Sequence, residues 1–466
     1  MLVASIPVGN PCRCPVAAVD RCVSAVDISS TLKRMPRRRR ERIPEIPPFP
    51  GDTVTVRIES LVAGGAGLAR LPDGRILFAL YAAPGELVEV EIERVQKDYL
   101  EGATRKVIEP SPDRIEPRCP LFGECGGCQL QHITYDAQLA AKTTVVREQF
   151  LRIAHMADPP VEAMVGARDP WAYRNHLRFS TGKMHGDVGF IHRRGRGLLK
   201  VEDCPIADPW INALLPKLQG HGAGLHQVQV RRNNETGSYL LLPEMPALDI
   251  PTGQRSYRER LAGHDFQVSD SAFFQVNSAQ AEEMVRLIGE ALPSQGELFV
   301  DAFAGVATFA VLFADRFRHV LAIEESGSAN KDAVVNIAQT PNVEIRAGKV
   351  EQILPELMEP PDAIVLDPPR AGCQPVVLDA LVRFAPRVIV YVSCNPATLA
   401  RDARVLVNGG YTLDRVTPLD MFPQTGHIEC VTKFSRDPNW TRPEVEHPQD
   451  ESSTSDADDA GHSEAQ

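Results

Sequence analysis

The stretch YVSCNPATLARD (residues 391–402) places Cys394 where an apolar run, RVIVYV, gives way to an Asn–Pro turn. β-Branched residues running into a turn read as a buried strand and its exit. In open α/β sheets that edge is where ligands bind. A thiol there either fills the core, a common fate for cysteine, or attacks a substrate as a covalent catalyst. A second centre lies upstream, in LFVDAFAGVATFAV, where Asp301 ends a strand and a small-residue turn opens a helix. Small residues let the backbone approach a ligand closely. The next strand, HVLAIE, ends in Glu324, an acid placed to accept from the hydroxyls of a ribose. The turn is not GxGxxG and has no extra glycine for a pyrophosphate. That favours S-adenosylmethionine (SAM) over NAD, with an ordinary α/β crossover as the plain alternative. AIVLDPPRAGC puts Asp367 at a third strand tip, where it meets a target base or caps a turn.

A third group is Cys119-x5-Cys125-x2-Cys128, in a glycine-rich stretch, with Cys204 the best isolated fourth ligand. Four thiolates suit zinc and an iron–sulfur cluster equally.

The elements around these residues change character along the chain. Segments GDTVTVRIESLV and GELVEVEIERV alternate apolar and polar residues between turn clusters, so residues 51–110 read as a small β-barrel of the oligonucleotide-binding kind. Residues 111–268 combine a helix at 136–157 with strands at LRFST, VGFIH, HQVQVRR and SYLLL, a mixed α/β module around the cysteines. Residues 269–436 alternate strand and helix, which predicts a doubly wound, mostly parallel sheet. Residues 1–50, basic and proline-rich, and 437–466, acidic and serine-rich, read as disordered. Met35, just before PRRRR, is a candidate true start; Cys12, Cys14 and Cys22 otherwise pose a small metal site as a rival reading.

No run of 18 apolar residues occurs in the 466, and the N-terminus lacks a signal peptide's apolar segment. The expectation is a cytoplasmic monomer with no membrane partner, in which ten cysteines serve metal or catalysis rather than disulfides. The net charge of −11 excludes binding a nucleic acid through the overall field. RNA would need local patches: Arg174 and Arg178, His192–Arg196, or Arg231 and Arg232.

DSAFFQVNSAQ, DAFAGVATF, LDPPRAGC, YVSCNPATLARD and GHIECV, in that order, resemble the RNA 5-methyluridine methyltransferases. The resemblance covers about residues 50–435. The barrel resembles the family's TRAM domain. Cys119, Cys125, Cys128 and Cys204 resemble the 4Fe–4S ligands of the branch typified by the 23S rRNA enzyme RlmD. The resemblance implies a class I SAM-dependent fold that methylates carbon 5 of uridine in RNA, 23S rRNA before tRNA. Cys394 is then the nucleophile that adds to carbon 6 and Glu429 the base that removes the carbon 5 proton. Gln275, Phe303, Thr308, Glu324 and Asp367 would contact SAM. Phe273 and Asn277 would line the base pocket, with Asp367 on the uracil edge. Family members commonly read DLFCGxG, where this chain has Ala304 and Ala307, and an acid or Asn where it has Lys349. Those changes leave open a non-catalytic RNA-binding protein with weak SAM binding.

Overall fold

A computed structural model describes residues 47–182, 184–195 and 197–440. The expectations on the N-terminal start, on Cys12, Cys14 and Cys22, and on nearly all of both tails lie outside these residues. Residues 437–440, placed in the acidic tail by sequence, are folded: the Asp437 amide donates to the Gly410 carbonyl (3.1 Å) and Arg436 lies over the Trp440 ring. Among the described residues no helix is long and apolar enough to cross a membrane.

β1 (Thr53–Arg57), β2 (Ser60–Leu61), β3 (Gly67–Arg70), β4 (Ile76–Leu80), β5 (Leu87–Val95) and β6 (Tyr99–Glu109) form one sheet, ordered β1-β5-β6-β4-β3-β2. The alternation in LVEVEIERV buries Val88, Val90 and Ile92 and turns Glu89, Glu91 and Glu93 outward. With a period of two, that pattern sets the register.

α1 (Tyr135–Arg152) follows. Then come β7 (His176–Thr181), β8 (Val188–Ile191), β9 (Leu198–Lys200), α2 (Pro209–Leu218), β10 (Gln227–Arg232) and β11 (Tyr239–Leu242). The strands form a second sheet, β11-β10-β7-β8-β9. α2 covers it, packing Ile211, Leu214 and Leu218 onto Leu177, Phe179 and Val228. A hairpin that the sequence did not announce, β12 (Ser256–Leu261) and β13 (His264–Ser269), leads to the C-terminal strand–helix region.

That region runs α3 (Ser278–Ala291), β14 (Gly296–Ala302), α4 (Thr308–Leu312), β15 (Phe317–Glu324), α5 (Gly327–Asn336), β16 (Val343–Ala347), α6 (Val350–Ile353), β17 (Ala363–Leu366), α7 (Pro375–Phe384), β18 (Val388–Ser393), α8 (Pro396–Asn408), β19 (Tyr411–Leu419) and β20 (Glu429–Arg436). Its sheet is ordered β16-β15-β14-β17-β18-β20-β19. β14 to β18 are parallel; β20 is antiparallel to both its neighbours. Phe299, Val365 and Val390 enter the core on one face, and Val300, Ile364 and Ile389 that on the other. A sheet buried on both sides needs unbroken apolar strands, which is what AIVL and VIVYV supply. α1, far upstream in sequence, packs Val146 and Phe150 into the second core beside Leu399 and Ala403 of α8.

Candidate active site

Cys394 sits on the turn between β18 and α8. Asn395 caps that helix, its side chain accepting from the Ala397 amide (3.2 Å), and Pro396 takes the first helical position. This pairing of an Asn cap with Pro at N1 stops the strand and starts the helix within two residues. The Asn395 amide also donates to the Arg370 carbonyl (3.0 Å), tying the turn to the DPPR loop after β17.

β20 supplies the facing residue. Its ladder with β18 ends at the pair Ser393–Cys430, so the next step brings Cys394 opposite Glu429. Glu429 is buried. Burial pushes its carboxyl well above the usual range, the neighbouring Asp367 adds to this, and Arg370 opposes it. The half-buried Cys394 thiol is also raised, first by burial and then by Glu429, while Arg370 lies within hydrogen-bonding reach and pulls it down. Burial lifts Asp367 to about 7.

Arg370 and His427 are two residues to which sequence reading gave no catalytic role, His427 being left as structural. Arg370 donates to His427 Nδ1 at 2.9 Å. A guanidinium can only donate, so Nδ1 accepts and the ring proton rests on Nε2. Burial and the Arg370 charge both lower the His427 pKa and keep the ring neutral. The signal for Arg370 was its place after Pro–Pro in LDPPRAGC, where the related Asp/Asn-Pro-Pro-aromatic motif of amino-group methylases has an aromatic residue.

The second centre lies at the tips of β14 and β15. Glu324 accepts from the amides of Gly305 (2.8 Å) and Ser326 (2.6 Å). The turn between them is held open by left-handed backbone at Phe303 (φ 65°), Gly305 (φ 56°) and Ala307 (φ 66°). A Cβ at Gly305 would meet nothing within 4 Å, so the turn borders free space. Thr308 starts α4 from this turn. Asp301, fully buried, accepts from the Ala310 amide (2.8 Å) and leaves Oδ1 without a partner. Burial first, then Asp367 and Glu324, lift its pKa to about 7. Three carboxyl groups thus approach one another at adjacent strand tips, with the acceptors and open backbone that a cationic nucleoside such as SAM requires. Lys349 turns to Glu325 (3.6 Å).

In the FFQVN segment the residues part ways. Phe273 is 68 % exposed and Gln275 half-buried. Asn277 is buried and spent: it caps α3 and donates to the Met421 carbonyl (3.3 Å). These contacts hold the segment in place. Two basic candidates are corrected. Arg193 is half-buried between Glu93 (2.9 Å) of the barrel and the Gly123 carbonyl (2.8 Å), and buried Arg231 donates to the Ala272 carbonyl (2.7 Å). Arg178 stays exposed.

Cys119, Cys125, Cys128 and Cys204 line one cavity of about 350 Å³, with Arg174 and Leu121 among its walls. Burial raises all four thiols, Cys204 to about 11 and Cys128 to about 12. The Gly127 amide donates to Cys125 Sγ (3.4 Å). Among the described residues no three His, Cys, Asp or Glu side chains converge on one metal ion.

A doubly wound sheet with an antiparallel strand inserted near its edge and acids at the strand tips has the architecture of a class I methyltransferase, here preceded by a six-stranded β-domain. The family comparisons agree. The tRNA (Uracil-5-)-methyltransferase family model matches residues 360–436, and the TRAM domain matches residues 48–104. An uncharacterized RNA methyltransferase of Gloeobacter violaceus is 36% identical over 83% of this chain and 97% of its own. One of Halalkalibacterium halodurans is 32% identical over 82% of this chain and 96% of its own. The crystal structure of Pyrococcus abyssi tRNA (uracil-54, C5)-methyltransferase, with S-adenosyl-L-homocysteine bound, superposes with a TM-score of 0.65 at 26% identity, covering 82% of this chain and 100% of that one. The chain belongs to the TRAM-containing RNA (uracil-5-)-methyltransferases, SAM-dependent enzymes that act on RNA.

Proposed function

We propose that the protein methylates carbon 5 of a uridine through a covalent cysteine–uracil intermediate. The observation that carries this reading is Cys394 facing Glu429, with Arg370 beside the thiol. Carbon 5 of uracil is too weak a nucleophile alone. The Cys394 thiolate, supported by Arg370, adds to carbon 6, and the electron pair moves to carbon 5 as an enolate. SAM, when bound, supplies the electrophilic methyl group. Glu429 then takes the carbon 5 proton, the carbon 6–sulfur bond breaks, and the thiolate returns. A buried carboxylate with a raised pKa is a stronger base once ionised, which suits that step. Asp367 faces the same space from β17 and holds the uracil edge. Phe273, exposed at the entrance, offers a ring on which an extruded base stacks. Glu324, the Phe303–Thr308 turn and Gln275 hold SAM.

The cysteine cavity fits a 4Fe–4S cluster: four thiols, an amide-to-sulfur bond and room for more than one ion. Cys119, Cys125, Cys128 and Cys204 would hold it. A structural role is the plainer one, since its ligands join the loop at 119–128 to Cys204 before α2.

The favoured substrate is 23S rRNA, on the barrel and the cysteine set together. A tRNA uridine is the second reading, favoured by the Pyrococcus enzyme, whose similarity reaches well beyond the catalytic sheet. The test uses anaerobically purified protein, SAM, and rRNA or tRNA carrying 5-fluorouridine. Fluorine at carbon 5 cannot leave as a proton, so the enzyme stalls while attached. An adduct that resists denaturation, absent in Cys394→Ala, is expected; its RNA names the substrate. No adduct with either RNA while SAM binds would overturn the covalent reading.

A further inference from the structure

Segment 420–428, which leads from β19 into Glu429, is clamped from two sides. On the near side, buried Lys142 pairs with buried Asp420 (2.6 Å), and Gln138 of α1 exchanges two bonds with Gln424 (3.0 and 3.1 Å). The far side is held by parts of the chain that carry no catalytic group. The carbonyl of Gln424, itself left-handed (φ 69°), accepts from the amides of Gln129 and Leu130, each at 3.0 Å. The Gln129 side chain spans a gap. Its Oε1 accepts the Gly426 amide (3.1 Å), and its Nε2 donates to the carbonyl of Gly126 (2.9 Å), between Cys125 and Cys128. From the barrel, the Gly64 amide donates to the Gly426 carbonyl (3.3 Å). A Cβ at Gly426 would stand 2.2 Å from the Gly64 carbonyl carbon, so only glycine permits this approach. One residue further on, His427 meets Arg370; two beyond that, Glu429 faces Cys394.

We propose that Gln129 is a positioning residue for methyl transfer: by bridging Gly126 of the cysteine loop to Gly426, it fixes the strap on which His427 holds Arg370 against Cys394 and from which Glu429 begins. The inference rests on Cys394 being the nucleophile. The charged groups that face Cys394 are Glu429, Arg370 and Asp367, with His427 behind Arg370. Gln129 touches none of them and acts through the backbone of the strap. The cysteine loop and the barrel thereby become part of the catalytic apparatus and not only an RNA grip. A small misplacement of reacting groups costs rate far more than it costs binding.

The test compares full-length wild type, Gln129→Ala and Gln129→Glu. One readout is kcat and KM. The other is the pH midpoint of Cys394 alkylation by iodoacetamide, read on the Cys394 peptide by mass spectrometry. Gln129→Ala is expected to lower kcat about tenfold, with KM for SAM and RNA within about twofold, and to raise the alkylation midpoint. Gln129→Glu keeps an acceptor for the Gly426 amide but loses the donor to the Gly126 carbonyl, so it should recover only part of the midpoint shift. Gly426→Ala displaces the same strap through a different contact, the close approach to Gly64, and should reproduce the loss. Wild-type kcat and midpoint in Gln129→Ala would overturn the proposal, and so would a loss confined to KM for RNA. If the wild type attacks no RNA, the covalent reading falls separately, and the alkylation midpoints then decide the positioning role by themselves.

Discussion

Cys394 and Glu429 stand opposite each other one step past the last rung of the β18–β20 ladder, Ser393–Cys430. The proposed nucleophile and proton acceptor, 35 residues apart in sequence, are thus set by sheet register, the most rigid ruler the fold has. Glu429→Gln should keep the attack and lose the proton removal. With ordinary uridine RNA and SAM, a methylated protein–RNA adduct should accumulate where wild type shows none. Rapid turnover by Glu429→Gln would remove Glu429 from the role of base.

Arg370 opposes the two influences, burial and Glu429, that raise the Cys394 thiol. Arg370→Met removes that opposition. The Cys394 alkylation midpoint should move to higher pH, and methylation near neutral pH should fall about 100-fold, on the scale of a lost charge-assisted contact in a dry site. An unchanged midpoint would show that the thiol is ionised by something else.

Asp301 is buried with one oxygen unpartnered, and its pKa is lifted from 3.8 to about 7. The folded state holds this proton up to about pH 7, whereas the unfolded chain releases it near 3.8. The protein therefore loses stability as pH rises through that window. Asp301→Asn, which carries no charge, should raise the melting temperature above pH 7 by several degrees and leave it nearly unchanged at pH 4. Equal shifts at both would mean that the carboxyl is ionised in the folded protein.

Ala307 is held at φ 66° where the sequence comparison had suggested glycine. A Cβ in the left-handed region costs about 1–2 kcal/mol. Ala307→Gly should stabilise the protein by about 1 kcal/mol and tighten SAM binding, because the turn that borders the cofactor space is relieved. Calorimetric titration with SAM checks the second half; weaker binding would show that the strained turn is preorganised.

Cys204→Ser removes one wall of the cysteine cavity from a different part of the chain than the other three. With the proposed cluster in the cavity, iron content and the broad visible absorbance of the anaerobic protein should drop sharply. Zinc in place of iron in the wild type would overturn the cluster.

Much of this was legible in the sequence because it depends on local rules. The LVEVEIERV alternation declares a half-buried strand, AIVL and VIVYV declare strands buried on both faces, and Asn395–Pro396 declares a strand ending at a helix cap. Even the strain at Ala307 could be read from a residue type that dislikes what a tight turn demands. The order of these pieces carried the family. What the sequence left undecided is everything that depends on contacts between distant residues. Nothing local says that β20 inserts between β18 and β19, yet that antiparallel insertion alone brings Glu429 to Cys394. Arg231 looked available to an RNA backbone until packing buried it and turned its guanidinium to carbonyls, Ala272 first. His427 read as structural and Arg370 only as a departure from a motif's aromatic position, because a guanidinium and an imidazole acquire their meaning only when 57 residues of chain fold them to within 2.9 Å. Residue type and local pattern determined which chemistry this chain can hold; the pairing of distant strands, driven by burial of both sheet faces, decided where it is assembled.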